Sequence, residues 1–159
     1  MLTPAQLQTL KADIAAQSDL NVYPNTPDGN YAIAGLYNAL AAPDFIVWKT
    51  AIPTSDIKKN VVWTEYIGRS VGEQNAFQLM IADGTINASD LNVRTGFIDI
   101  FSGPSGATTR ANLTALAKRK ASRVEKLLAT GTGSDAVPAV MGFEGQLSYY
   151  DVAQARDLA

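Results

Sequence analysis

Carboxylates are the side chains in this sequence that could carry acid–base chemistry or bind a metal. They are scattered along the chain, and those in the middle third and near the end are Asp83, Asp90, Asp99, Asp135, Glu144, Asp151 and Asp157. No calcium-binding loop of the Asp-x-Asp-x-Asp-Gly type is present. Two of these carboxylates could still meet in the folded protein as a general acid and base. Their spacing singles out no such pair.

The sequence contains no histidine and no cysteine. Their absence excludes Ser-His-Asp and Cys-His nucleophilic sites, the usual zinc sites and disulfide bonds. Two glycine-containing turns, at residues 103–106 and 131–134, lack the Gly-Lys-Ser/Thr ending of a phosphate-binding loop. We therefore predict no catalytic residue, no metal site and no cofactor, and we interpret the chain as a non-enzyme. Chemistry carried by carboxylates, Lys or Tyr is left open.

Positive charge is concentrated in one segment, which an apolar stripe predicts to be a single helix from about residue 108 to 129. Residues 110–126 carry a net charge of +5 and the rest of the chain −7. On one helix, Arg119, Arg123 and Lys126 would lie on the same side. This side could bind nucleic acid or an acidic protein, or could simply be a solvated face favoured by the helix dipole. We favour an acidic protein over DNA, because no aromatic residues alternate with the basic ones.

The 159 residues and the apolar fraction of 47% fit one globular domain. Capping-box patterns at Thr3 and Ser70 predict helix starts there. Another helix is predicted to begin at residues 87–90 and to carry Leu91, Arg94, Ile98 and Phe101. Taken together, the periodicities predict a mainly α fold, a helical bundle of about six helices. Trp48 and Trp63 are expected in the core.

The end of the chain has a different character, because residues 130–147 contain five glycines or prolines among apolar residues. We predict a helical body over residues 1–135. Residues 136–159 are predicted to form an extended C-terminal arm or short β-hairpin with a final short helix, all within one domain. The arm is expected to be a docking element whose deletion leaves the body folded. The candidate partner-binding residues are Arg119, Arg123, Lys126, Val140, Met141, Phe143, Leu147, Tyr149 and Tyr150.

Neither a signal peptide nor a membrane span is predicted. The chain starts without basic residues or an apolar core run, and no stretch approaches the roughly 18 apolar residues of a spanning helix. No contact with a membrane is therefore expected.

Several sequence blocks at both ends and in the first third resemble a family of uncharacterised proteins encoded by tailed bacteriophages and prophages. These blocks are LTPAQL (2–7), WKT (48–50), PTSDI (53–57), KRKASRVEK (118–126), ATGTGSD (129–135) and MGFEGQLSYYDV (141–152). Residues 60–107 lie outside the resemblance. The family has no established active site, so the resemblance implies no functional residue.

What the resemblance implies is a context, that of a virion structural protein. It suggests a head-to-tail connector, or neck adaptor, whose copies form a ring that docks on portal or tail proteins. Such a protein would reside in the virion, assembled in the host cytoplasm. Other virion components, such as a tail or capsid-stabilising protein, remain alternatives. So does a non-virion regulator that binds nucleic acid, although DNA contact is not expected.

Overall fold

A computed structural model describes residues 1–158 of the chain. They are mainly helical, with a few short antiparallel strand pairs. The α-helices are α1 (Pro4–Ala16), α2 (Pro27–Asn38), α3 (Thr54–Asn60), α4 (Trp63–Ile67), α5 (Val71–Met80), α6 (Leu91–Ile100), α7 (Ala107–Leu116), α8 (Arg123–Leu128) and α9 (Tyr149–Asp157). The strands are β1 (Ile46–Trp48), β2 (Ile52–Pro53), β3 (Thr85–Ile86), β4 (Lys118–Lys120), β5 (Ala129–Thr130) and β6 (Val140–Met141).

The prediction of a single helix from residue 108 to 129 is wrong. Helix α7 ends at Leu116, strand β4 follows, and α8 begins at Arg123. Ser122 caps α8: its side chain accepts a hydrogen bond from the Glu125 N–H, and the Glu125 carboxylate accepts one from the Ser122 N–H at 2.9 Å. An N-cap residue has extended rather than helical backbone angles, so a helix cannot run through Ser122. This break is one reason why the described residues contain nine α-helices rather than about six.

The chain divides into two compact units, with the second inserted into the first. The first unit comprises residues 1–47 and 120–158, and the second comprises residues 48–119. The first unit therefore depends on segments from both ends of the sequence, whereas the second is continuous.

The first unit is built from α1, α2, α8 and α9, with α9 packed against both α1 and α2. Leu10, Ile33, Tyr37, Val124 and Val152 are fully buried at its centre. The predicted capping box at Thr3 is confirmed at the start of α1. The Gln6 side chain of that box also donates a hydrogen bond to the Gly142 carbonyl at 2.7 Å, which ties α1 to the C-terminal segment.

Residues 136–158 are part of this unit's core. Ala139, Leu147, Val152 and Ala155 are buried, and β6 pairs antiparallel with β5 as a short hairpin-like ladder. The Asn38 amide donates to the Leu147 carbonyl at 2.9 Å and accepts from the Leu147 N–H at 2.8 Å. Because burial of such apolar side chains stabilises a fold, we expect deletion of residues 136–158 to unfold the first unit. This reverses the expectation drawn from the sequence.

The second unit contains α3 to α7 and the strand pair β2–β3, in which Ile52 lies opposite Ile86. Its core is aromatic: Phe77 packs against the rings of Tyr66, Phe97 and Phe101, at centroid distances of 5.3, 6.0 and 5.6 Å. The predicted capping box at Ser70 is confirmed at the start of α5. The predicted start of a helix at residues 87–90 is confirmed by the Asp90 cap of α6.

Within residues 1–158, no helix combines the length and the apolar character needed to cross a bilayer.

Candidate functional site

The basic residues singled out from the sequence do not share a helix face. Arg119 lies in β4 and belongs to the second unit, whereas Arg123 and Lys126 lie on α8 in the first. Their predicted alignment is therefore wrong, because it required the helix that Ser122 interrupts. Their role in partner binding stays a prediction.

Arg123 has a structural role inside the first unit. Its guanidinium forms an ion pair with Asp19 at 2.5 Å and lies 5.2 Å from the centre of the Tyr37 ring. The hydrogen bond from Arg123 lowers the pKa of the Asp19 carboxyl and raises that of Arg123 itself. Tyr37, in turn, donates a hydrogen bond to Asp13 at 2.6 Å, and burial raises the pKa of this phenol. These contacts join α1, α2 and α8.

Two further lysines of the basic segment also have neighbours within the first unit. The Lys126 ammonium lies 5.8 Å from the centre of the Phe45 ring. Lys120 forms an ion pair with Asp44 at 2.6 Å, with both side chains more than half exposed. On α8, Arg123 is thus paired with a carboxylate and Lys126 lies near an aromatic ring.

The predicted residues of the C-terminal segment differ in how much of them a partner could reach. Leu147 is buried, and Met141 and Phe143 are half-buried against the first unit's apolar clusters. Val140 is exposed on β6. Of these four, Val140 offers the most surface to a partner.

The two adjacent tyrosines stand at the start of α9. Their ring centres are 3.9 Å apart, and a hydrogen bond with Tyr150 raises the pKa of Tyr149. Tyr150 is 64% exposed. A partner could therefore reach Tyr150, and the role of the two tyrosines in partner binding stays a prediction.

An apolar pocket in the second unit was not predicted. It has a volume of about 210 Å³ and lies beside α6; we call it the α6 pocket. Its wall is mostly aliphatic and aromatic, with contributions from Ile52, Ile57, Ile86, Phe97, Leu113 and Leu116. The same side chains pack against the aromatic core of this unit, so the pocket is supported by buried structure.

Two arginines are the charged residues that line the α6 pocket. Arg110 donates hydrogen bonds to the Phe101 and Gly103 carbonyls and so caps the end of α6.

Arg94 lies 4.4 Å from the centre of the Trp48 ring and donates a hydrogen bond to the Ala88 carbonyl. Burial lowers the pKa of Arg94, which nevertheless keeps its charge near neutral pH. The charge of the Asp90 carboxylate raises the pKa of Arg94 in the opposite sense, although Asp90 and Arg94 are not joined by any of the ion pairs seen in the described part of the chain.

The rim of the α6 pocket is apolar and open to solvent. Leu91 is 64% exposed and Ile98 is 52% exposed. With Arg94 they follow a spacing of three and four residues, which places all three on one face of α6. Gly96 lies elsewhere on the helix, where an added Cβ would stand 3.0 Å from Met80 of α5. Helix α6 is thus held by α5 while its other face carries the rim of the pocket.

A clue to this face exists in the sequence, where an arginine interrupts the apolar stripe of α6. Two of the apolar residues that the predicted helix carries, Leu91 and Ile98, are exposed in the structure. Trp48 is half-buried beneath Arg94, and Trp63 is 49% exposed, so the placement of Trp63 in the core is also wrong.

In the part of the chain that the structure describes, no three His, Cys, Asp or Glu side chains come together as a potential metal site. Some carboxylates instead accept hydrogen bonds from backbone N–H groups at the ends of helices. Glu65, for example, accepts hydrogen bonds from the Thr108 and Thr109 N–H groups at the start of α7, and these bonds lower its pKa.

Comparison of the chain with protein-family models, with curated proteins and with solved structures finds no match.

Proposed function

We propose that this protein is a virion structural protein of a tailed bacteriophage, most specifically a head-to-tail connector subunit. The observation that carries the proposal is the number of large apolar side chains that both units expose. Those more than half exposed include Val22, Tyr31, Leu40, Ile67, Val71, Leu79, Leu91, Ile98, Val137 and Tyr150. Single exposed apolar residues are ordinary, but Leu91 and Ile98 share one face of α6, and neighbouring apolar side chains of this kind are typical of surfaces that become buried in an assembly.

The resemblance of the terminal blocks to phage and prophage proteins supports the same proposal. In a ring around the portal, each copy would use two different surfaces to contact its two neighbours. Exposed apolar groups on both units suit such heterologous contacts. The two faces of the ring would contact portal or tail proteins. The protein would then reside in the virion, assembled in the host cytoplasm.

Residues 136–158 would contribute a docking surface rather than a detachable arm. Val137, Val140 and Tyr150 are exposed on this segment while its other side chains fill the core. The segment is therefore held in one conformation before a partner arrives, which reduces the entropy lost on binding.

The copy number per particle tests the proposal, measured by quantitative mass spectrometry of gradient-purified phage. We expect about a dozen copies, consistent with one cyclic ring. Hundreds of copies would instead indicate a capsid or tail component. Absence from the particle would overturn the virion proposal altogether.

A second test addresses the docking surface. Val137→Asp and Tyr150→Asp place charges on exposed apolar positions, so we expect both variants to fold but to be lost from particles. Gln154→Asp, at an exposed polar position of α9, should be incorporated normally. Incorporation of all three variants at the wild-type level would show that this surface makes no contact in the particle.

The alternative of a nucleic-acid-binding regulator receives less support from the structure's contacts. Arg123 and Lys120 form ion pairs with Asp19 and Asp44. Steep loss of DNA binding with rising salt would favour the alternative, and no binding at low salt would remove it.

A further inference from the structure

We propose that the α6 pocket binds a large apolar side chain of a partner protein, and that Arg94 binds a carboxylate of the same partner segment. The occupant is thus an acidic, apolar segment in which the two side chains lie within about one helical turn. The pocket would bind such a segment inside or outside a virion, so the proposal does not depend on the function proposed above.

The volume of the pocket fits one anchoring side chain. An apolar cavity of about 150 Å³ holds a benzene molecule, so about 210 Å³ accommodates one aromatic ring or one branched aliphatic side chain with space to spare. Sites for cofactors and drug-sized molecules are larger, about 300–1,000 Å³. Buried anchors of this kind supply much of the energy of protein interfaces.

The positive charge of the pocket favours a carboxylate as the second group that the partner segment contributes. Its charged lining residues are Arg94 and Arg110, and Arg110 already binds two backbone carbonyls. Of the five N–H donors on the Arg94 guanidinium, one is used by the Ala88 carbonyl. The stack on Trp48 fixes the plane of the guanidinium, so its other donors can meet a carboxylate with little further loss of entropy.

The rim favours a protein over a small molecule. A ligand confined to the pocket would leave the outer parts of Leu91 and Ile98 in water. A polypeptide crossing the pocket would cover both, and burial of that apolar area would add to the binding energy.

A matched pair of small probes tests the chemistry of the pocket. N-acetylphenylalanine offers a ring with a carboxylate, and N-acetylphenylalanine amide offers the same ring without the charge. In an NMR titration of the full chain we expect shifts of amide signals in α6 and near Leu113. The acid should bind about tenfold more tightly than the amide, the ratio that one charge-assisted hydrogen bond provides.

Variants of Arg94 test whether its guanidinium causes the difference in affinity between the acid and the amide. Arg94→Gln should reduce the ratio of the two affinities to about one, and Arg94→Lys should retain part of it. Both variants must first give dispersed spectra like those of the wild type. Equal affinity for the two probes in the wild-type protein, or no shifts near α6 with either, would overturn the proposal.

Site-specific cross-linking identifies the occupant. Because the chain lacks cysteine, Thr95→Cys provides a unique attachment point for a benzophenone maleimide at an exposed position of the pocket. Ala76→Cys, exposed on α5, is the matched control. Labelled full-length protein is irradiated in extracts of the cells that produce it, and the cross-linked peptides are sequenced.

We expect a peptide of another protein that contains a large apolar residue and an Asp or Glu within four positions, obtained from Thr95→Cys but not from Ala76→Cys. Excess N-acetylphenylalanine should reduce its yield. A cross-link to a second copy of this chain, a peptide without an acidic residue, or identical products from both positions would each overturn the proposed occupant.

Discussion

Arg156 and Arg123 in the first unit differ in their contacts from Arg94 in the second, although Arg110 of the second unit also binds backbone carbonyls. In the first unit, Arg156 of α9 donates hydrogen bonds to the Tyr23 and Pro24 carbonyls and to the Asn30 side chain. Arg123 likewise bonds to Asp19. Both arginines join segments that are distant in the sequence. In the second unit, Arg94 rests on Trp48 at an open apolar pocket, and the nearby charge of Asp90 acts on it without a direct ion pair being seen among the described residues.

This difference indicates that the two units of the chain have different roles. The polar contacts of the first unit hold its terminal segments in a fixed framework. The second unit encloses an aromatic core but leaves a cation and apolar side chains on its surface. We infer that the first unit serves as a scaffold that also exposes Val137, Val140 and Tyr150 to partners, and that the second unit carries the α6 pocket as a contact surface. Four predictions test the comparison.

The largest expected effect is a loss of stability of the second unit in the variant Phe77→Ala. Removing this ring from contact with three others leaves a cavity, and we expect the free energy of unfolding to fall by about 3–5 kcal/mol. Both tryptophans, Trp48 and Trp63, belong to the second unit, so urea denaturation followed by tryptophan fluorescence measures it. Leu79→Ala, at a helix position that is 77% exposed, should change the result by less than about 0.5 kcal/mol.

A smaller loss is expected in the first unit from Asn38→Ala. The change leaves the Leu147 N–H and carbonyl without their side-chain partner, at a cost of about 1–3 kcal/mol. Hydrogen exchange of the Leu147 amide should accelerate accordingly. Gln146→Ala, beside it and exposed, is the control. An unchanged exchange rate in Asn38→Ala would show that the polar clamp does not hold the C-terminal segment.

Matched capping-box variants compare the two units directly. Ser122→Ala and Ser70→Ala each remove the acceptor for a helix N–H, and we expect a loss of about 1 kcal/mol in each case. The loss should be larger at Ser122, because Glu125 is buried whereas the Ser70–Glu73 box is on the surface. Urea denaturation followed by circular dichroism gives both values. A larger loss at Ser70 would contradict the picture of the first unit as the polar-stabilised scaffold.

The smallest effect concerns pH. Since Arg123 lowers the pKa of Asp19 in the folded state, the ion pair stabilises the first unit above the unfolded pKa of about 3.8. That stability is lost as the pH falls through the lower, folded pKa. Asp19→Asn should therefore be less stable than the wild type at neutral pH, and the two should converge in acid. Thermal unfolding at a series of pH values measures the difference, which should also shrink with added salt.

Local signals predicted much of the helical structure. Thr3 with Gln6 and Ser70 with Glu73 mark helix starts where the structure has them, because a cap depends on residues three positions apart. Ser122 and Glu125 form the same pattern, but a longer apolar stripe runs across it and predicts one continuous helix. A continuous period of apolar residues does not establish a continuous helix, since two short helices can each contribute part of the stripe.

The α6 pocket could not be predicted because its wall is assembled from distant parts of the sequence. Trp48 comes from the start of the second unit, Arg94 from α6 and Leu113 from α7. Amphipathic periodicity assigns Leu91 and Ile98 to a buried face, but it cannot show that the neighbouring helices leave part of that face uncovered. Only the unexpected arginine in the stripe pointed to an unusual environment.

The insertion of one unit into the other also affects the order in which the protein can fold during synthesis. Residues 48–119 emerge from the ribosome as one continuous block, and their aromatic core can close while the rest of the chain is still being translated. The scaffold must wait, because α1 and α2 precede residues 48–119 in the chain whereas their packing partner α9 follows them. Until then the apolar faces of α1 and α2 remain uncovered, so a stall late in translation would expose them to chaperones or to aggregation.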